Sequence, residues 1–140
     1  MAQGARLSTV VMFVRDLDRS VRFYTGLLAL TTVDRSPTAA LLVSEAGAHL
    51  VLRAMGASAP HPLGNAGVQY VAWSVAGEDE LARTERVLKS HSAHTETRNT
   101  EGVTVVEGRD PDGIPVMICH PGPEKLPAGQ QHLWTRIYAW

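Results

Sequence analysis

From Val10 to Val14 the chain is a continuous apolar run, and it stops at Arg15-Asp16. From Leu17 the pattern changes period. Leu17, Val21, Tyr24 and Leu28 fall at i, i+4, i+7 and i+11, one face of a helix. Asp16 or Asp18 can cap its start, because a short carboxylate accepts bonds from the free N–H groups of the first turn. Gly26 costs a helix interior about 1 kcal/mol relative to Ala, which puts it near the helix end. The stretch predicts strand, tight turn, amphipathic helix.

The same order returns further along. Tyr70 to Val75 is apolar, Ala76-Gly77 breaks the run, and Glu78 to Lys89 predicts a helix with Leu81, Thr84 and Leu88 on a narrow apolar edge. Glu80 and Asp79 stand in its first turn and Lys89 near its end, as the helix macrodipole favours. An offset of 61 (70 − 9) pairs Val10 with Val71, Val14 with Val75 and Asp18 with Asp79. An internal repeat and two unrelated strand–helix units both fit these matches.

Three short strands follow each helix. In the first half they are Leu30 to Val33, Thr38 to Ser44 and Ala48 to Arg53, separated by Asp34-Arg35-Ser36-Pro37 and Glu45-Ala46-Gly47. In the second they are Thr95 to Arg98, Val103 to Glu107 and Ile114 to Cys119. Asn99 to Gly102 predicts a turn, and Asp110-Pro111-Asp112-Gly113 a strong one, with Pro presetting φ and Gly taking the φ > 0 site. The small residues, prolines and glycines of 54–67 read as a linker, hinge or surface loop. The plan is βαβββ, linker, βαβββ.

Composition narrows the class. Apolar residues make up 44% and charged residues 19% of the 140 positions, which suits a globular fold and excludes a largely disordered chain. The net charge of −1 supplies no basic field, so nucleic acid is not an expected partner. No apolar stretch reaches the ~20 residues a bilayer requires, and no membrane partner is expected. The N-terminus lacks the apolar core of a signal peptide. Cys119 is the single cysteine, which fits a reducing compartment; the expected location is the cytoplasm. Eight aromatics occur in the chain, and Trp134, Tyr138 and Trp140 crowd the last seven positions. Such a tail, 121–140, predicts either a segment packed on the body or a second subunit, or a lid over a ligand.

The run Asp16, Leu17, Ser20, Phe23, Tyr24, the Asp-Pro-Asp-Gly turn and the duplicated βαβββ plan resemble the vicinal oxygen chelate superfamily. This group includes glyoxalases, extradiol dioxygenases, fosfomycin-modifying enzymes and bleomycin resistance proteins. The resemblance covers residues 7 to about 120 and implies an α+β fold. Two βαβββ modules, about 7–54 and 67–120, would form a curled mixed sheet with a concave cavity, in a homodimer. Metal-using members place His or Glu at a fixed position on four strands. The resemblance puts those seats at Thr9, Val51, Tyr70 and Met117. A hydroxyl, an isopropyl, a phenol and a thioether do not replace carboxylate or imidazole, so no metal and no other cofactor is expected. His49, two residues from Val51, is the one nearby alternative donor.

Strand alternation places Thr9, Val11, Phe13, His49, Val51, Arg53, Tyr70, Ala72, Met117 and Cys119 on the concave side, with Leu50, Leu52, Val71 and Trp73 facing the helices. These side chains either line a ligand cavity or fill the interior themselves. The first expectation is a protein that sequesters a hydrophobic or aromatic small molecule, as drug-binding resistance members do. Tyr70, Trp134 and Trp140 are the stacking candidates. Tyr70 can also donate to a carbonyl or quinone oxygen. The alternative is a metal-independent isomerase, cyclase or hydrolase, with His49 and Tyr70 as acid and base. His61, His91, His94, His120 and His132 read as surface or helix-end histidines, and Cys119 as a small packed hydrophobe.

Overall fold

A computed structural model describes residues 4–5, 7–58, 68, 70–100, 102–122 and 125. Trp134, Trp140 and most of the 54–67 stretch lie outside the described residues. The chain divides into two compact units, Met1–Pro60 and His61–Trp140.

In the first unit, β1 (Thr9–Val14) is followed by α1 (Leu17–Leu28), β2 (Thr31–Arg35), β3 (Ala39–Val43) and β4 (His49–Ala54). Asp16 is the N-cap: its side chain accepts the Arg19 N–H at 3.0 Å. Ala29, with φ of 55°, ends the helix in the left-handed region. The strands form one mixed sheet in the order β1-β4-β3-β2, with β1 parallel to β4. The buried α1 residues Leu17, Val21, Phe23, Tyr24 and Leu27 form a core with Ala40, Leu42, Leu50 and Leu52. The 2-residue period of β3 and β4 sets that pattern, burying every second side chain.

The second unit holds β5 (Val71–Ser74), α2 (Glu78–Ser90), β6 (His94–Thr100), β7 (Val103–Arg109) and β8 (Pro115–His120). Its sheet order is β5-β8-β7-β6, with β5 parallel to β8. Gly77 precedes α2 without a side-chain cap, and the acidic residues Glu78, Asp79 and Glu80 fill the first turn instead. The turn before β8 is held by Asp110, whose Oδ1 accepts the N–H groups of Asp112 at 2.8 Å and Ile114 at 2.9 Å. Gly113 takes φ of +82° there, as the turn chemistry requires.

The two sheets share one register scheme. Val10 pairs with Leu50 as Val71 pairs with Val116, and Leu41 pairs with Val51 as Glu107 pairs with Met117. The second strand of each module also slips at an equivalent place, between Thr32 and Asp34 and between His94 and Glu96. A shared bulge is hard to reconcile with two unrelated units, since bulges are specific features of a pairing scheme. The internal repeat is therefore real at the level of register. Its offset is not constant: it is 61 at β1 (71 − 10) and 66 at β4 (116 − 50).

Several boundaries differ from the sequence reading. Asp34 and Arg35, expected in a turn, continue β2 because they pair with Leu41 and Ala40 on β3. Asn99 and Thr100 continue β6 rather than turning, because Asn99 and Thr100 pair with Thr104 and Val103. The Asn99 Nδ2 also donates to Thr104 Oγ1 at 2.7 Å, so polar side chains brace a segment with no apolar signal. Tyr70 precedes β5 instead of opening it. Among the described residues, no helix is long and apolar enough to cross a membrane.

Candidate ligand-binding faces of the two sheets

Each sheet has one face toward its helix and one face away from it. In the first unit, Thr9, Val11 and Phe13 on β1 pair with His49, Val51 and Arg53 on β4, which puts all six side chains on the face away from α1. Leu41, the partner of Val51 on β3, shares that face. It is largely open: Val11 is 56% and Phe13 63% exposed, and Thr9, His49 and Arg53 are exposed as well. Thr9 Oγ1 lies 3.3 Å from Ser8 Oγ. His49 stands directly opposite Thr9, two residues before Val51.

In the second unit, Ala72 pairs with Met117 and Ser74 with Cys119, and Tyr70 falls on the same side one pleat earlier. Met117, Cys119, Val103 and Val105 form a buried cluster, and Tyr70 packs against it. Cys119 is a buried thiol outside any disulfide, in an apolar setting. Its role is that of a hydrocarbon-sized filler.

Charged side chains from β6 and β7 share that face: Glu96, Arg98 and Glu107. Glu107 is 4% exposed and pairs with Met117 across the ladder. Its Oε1 accepts from Arg98 Nη1 at 3.3 Å. Arg98 Nη1 also reaches Glu96 Oε2 at 3.4 Å, toward solvent. Tyr70 feels both charges: burial pushes its phenol above the ordinary value of 10.0, with Glu107 adding to the rise and Arg98 opposing it. Tyr70 is therefore a neutral hydroxyl, able to donate, throughout the physiological range. Sequence reasoning did not single out Arg98 or Glu107. A signal existed: Glu107 is the lone charge within the run Val103 to Gly108, two residues from Val105 and so on its face.

The remaining histidines act structurally where they are described. His94 Nε2 meets Thr97 Oγ1 at 2.7 Å, and His120 Nδ1 lies 3.1 Å from the Val75 carbonyl. His91 ends α2. His61 and His132 lie outside the described residues.

The side chains at Thr9, Val51, Tyr70 and Met117, the positions that the family resemblance assigns to metal ligands, are not donors suited to a divalent ion. Val51 has no donor atom, and Met117 offers a buried thioether, a ligand for soft metals only. Tyr70 keeps its proton, and Thr9 presents a neutral hydroxyl. Among the described residues, no three or more His, Cys, Asp or Glu side chains group in a way that could hold a metal.

A family model described as the Glyoxalase/Bleomycin resistance protein/Dioxygenase superfamily matches residues 6–118. Solved structures show the same fold. A glyoxylase/bleomycin resistance protein/dioxygenase domain from Frankia sp. is 27% identical, with a TM-score of 0.73 over 84% of this chain and 98% of that one. A lactoylglutathione lyase from Agrobacterium tumefaciens is 18% identical, with a TM-score of 0.65 over 84% of this chain and 95% of that one. A fosfomycin resistance protein from Mesorhizobium loti is 15% identical, also with a TM-score of 0.65, over 87% of this chain and 95% of that one. No curated protein matches the chain.

Proposed function

Because the chain belongs to the Glyoxalase/Bleomycin resistance protein/Dioxygenase superfamily, we propose that it is a metal-free member that binds a hydrophobic or aromatic small molecule and sequesters it. The observation that carries this reading is the chemistry at the metal seats. Where carboxylate or imidazole is needed, Val51 is hydrocarbon and Met117 lies buried among Val103, Val105 and Cys119. An apolar sheet face in either unit favours apolar, flat molecules through the area they remove from water, about 25 cal/mol per Å² before association costs. Sequestration in the cytoplasm would protect a target from a toxic compound. One structural relative is a fosfomycin resistance protein, and the compound sequestered here would be of a different, apolar chemistry. We further propose a homodimer, supported by the exposed Val11 and Phe13 side chains on the first sheet.

Metal-independent catalysis is a second reading, favoured by a neutral Tyr70 on the same sheet face as the buried Glu107. His49 and Tyr70, the acid–base pair suggested by sequence, belong to different units. Mass spectrometry separates the two readings. Aromatic natural products incubated with the purified protein are recovered unchanged if it sequesters them. Conversion beyond one equivalent of product would sink the binding reading.

A further inference from the structure

The face of the first sheet that points away from α1 is laid out in rows across the strands. Thr9, His49 and Val43 form one row, Val11, Val51 and Leu41 the next, and Phe13, Arg53 and Ala39 the last. Successive rows are about 7 Å apart, since each is two strand residues on from the one before. The middle row is entirely apolar, and Val11 and Phe13 are both more than half exposed. Arg53 has an aromatic residue, Phe13, opposite it on β1 and a small one, Ala39, opposite it on β3.

Other arginines are served differently. Arg35 pairs with Asp18, Arg83 with Glu80, and Arg98 with Glu96 and Glu107. Arg22 and Arg86 stand on exposed helix surfaces. Arg53 is exposed too, but on an apolar sheet face, and it has no hydrogen-bond or ion-pair partner among the described residues. The one carboxylate that the strand register puts on this face is Asp34, opposite Leu41 on β2 and two strands away from Arg53. No ion pair joins the two.

This arrangement decides which ligand the face favours. A neutral apolar molecule laid over the middle row covers part of the Arg53 guanidinium and removes water that it does not replace. A carboxylate on the same ring system replaces that water with charge-assisted bonds, which a guanidinium can make in parallel pairs. A cation adds repulsion to the lost water.

We propose that this face of the first sheet binds a small aromatic carboxylate, with its rings on Val11, Val51 and Phe13 and its carboxylate on the Arg53 guanidinium. The site rests on the binding function proposed above and narrows the ligand class to flat apolar molecules that carry one acid group. Phe13 supplies apolar area to any such ring, and Arg53 sets the preference for the acid.

Three probes sharing one ring system test this: 2-naphthoate, the neutral 2-acetylnaphthalene of similar shape, and the cation 2-(aminomethyl)naphthalene, each titrated calorimetrically into the full chain. 2-Naphthoate is expected to bind about tenfold more tightly than 2-acetylnaphthalene, with the amine weakest. Arg53→Gln should abolish the preference for the acid and leave 2-acetylnaphthalene binding no weaker. Phe13→Ala should weaken both alike. Both positions are exposed, so neither change disturbs the core, and circular dichroism confirms that each variant is folded. Equal binding of acid and ketone to the wild type would overturn the proposal while leaving apolar binding intact. A preference for the acid that survives Arg53→Gln would place the anion elsewhere and overturn it too. Acid binding that weakens as the protein is concentrated would overturn it in favour of a second copy on this face. Failure of all three probes would remove the underlying binding function as well.

Discussion

Gly108 on β7 lies so close to Leu88 on α2 that a Cβ added to Gly108 would fall 2.6 Å from Leu88 Cδ2. The same atom would sit 2.7 Å from the Ala93 carbonyl oxygen. Leu88 is fully buried, and the Ala93 oxygen accepts the Arg109 N–H at 2.9 Å, so neither neighbour gives way cheaply. Gly108→Ala is expected to destabilise the protein by about 1–3 kcal/mol, the usual cost of overpacking. Urea denaturation of the variant checks this; an unchanged midpoint would mean that α2 is free to lift from its sheet.

Ser20 supplies an opposite case. It is fully buried in α1, and its Oγ has no hydrogen-bond partner among the described residues. A buried hydroxyl without a partner costs about 1–3 kcal/mol. Ser20→Ala should therefore raise the melting temperature. A fall would show that the hydroxyl is satisfied by water or by another group.

Much of the fold was legible because it rests on local rules. The helix period of Leu17, Val21 and Tyr24, the Asp16 cap and the Asp110 turn each follow from side-chain chemistry within a few residues. β6 was harder. His94 to Thr100 has no apolar alternation, and its end is fixed by cross-strand pairing with Val103 and Thr104. The candidate site was partly readable for the same reason. Alternation alone put Val11 and Val51, and Ala72 and Met117, on one side of their strands, and the register then pairs them. Arg98 gains its meaning only from reaching Glu107, nine residues away in sequence, across a hairpin whose register the sequence does not state.

The Arg98–Glu107 pair makes a thermodynamic prediction. Glu107 is buried, so removing its cation strands a carboxylate away from water. Arg98→Gln should be destabilising by about 1–3 kcal/mol, and Glu107→Gln in the same chain should recover part of the loss. A double-mutant cycle by chemical denaturation measures the coupling. Strict additivity would show that the pair contributes nothing to folding.

Glu85 ties α2 to β6. Its carboxylate accepts from Thr97 Oγ1, and this bond, with Lys89 and His94 adding to it against the opposing effect of burial, holds the carboxyl below its ordinary value of 4.5. A depressed carboxyl contributes stability that is present above the unfolded-state value and is lost as pH falls through the folded-state value. The stability advantage of wild type over Glu85→Gln should therefore be full near neutrality and vanish in acid below the carboxylate range. Denaturation midpoints of both proteins across that range test it. An advantage that persists undiminished in acid would contradict the assignment.

Metal-free binding is examined most simply by calorimetric titration of the purified protein with 2-acetylnaphthalene, with and without EDTA, beside elemental analysis of the same sample. The expected result is saturable binding whose affinity is unchanged by chelation or by added nickel, zinc, manganese or iron. Stoichiometric metal in the protein, with binding that disappears when it is stripped, would contradict it.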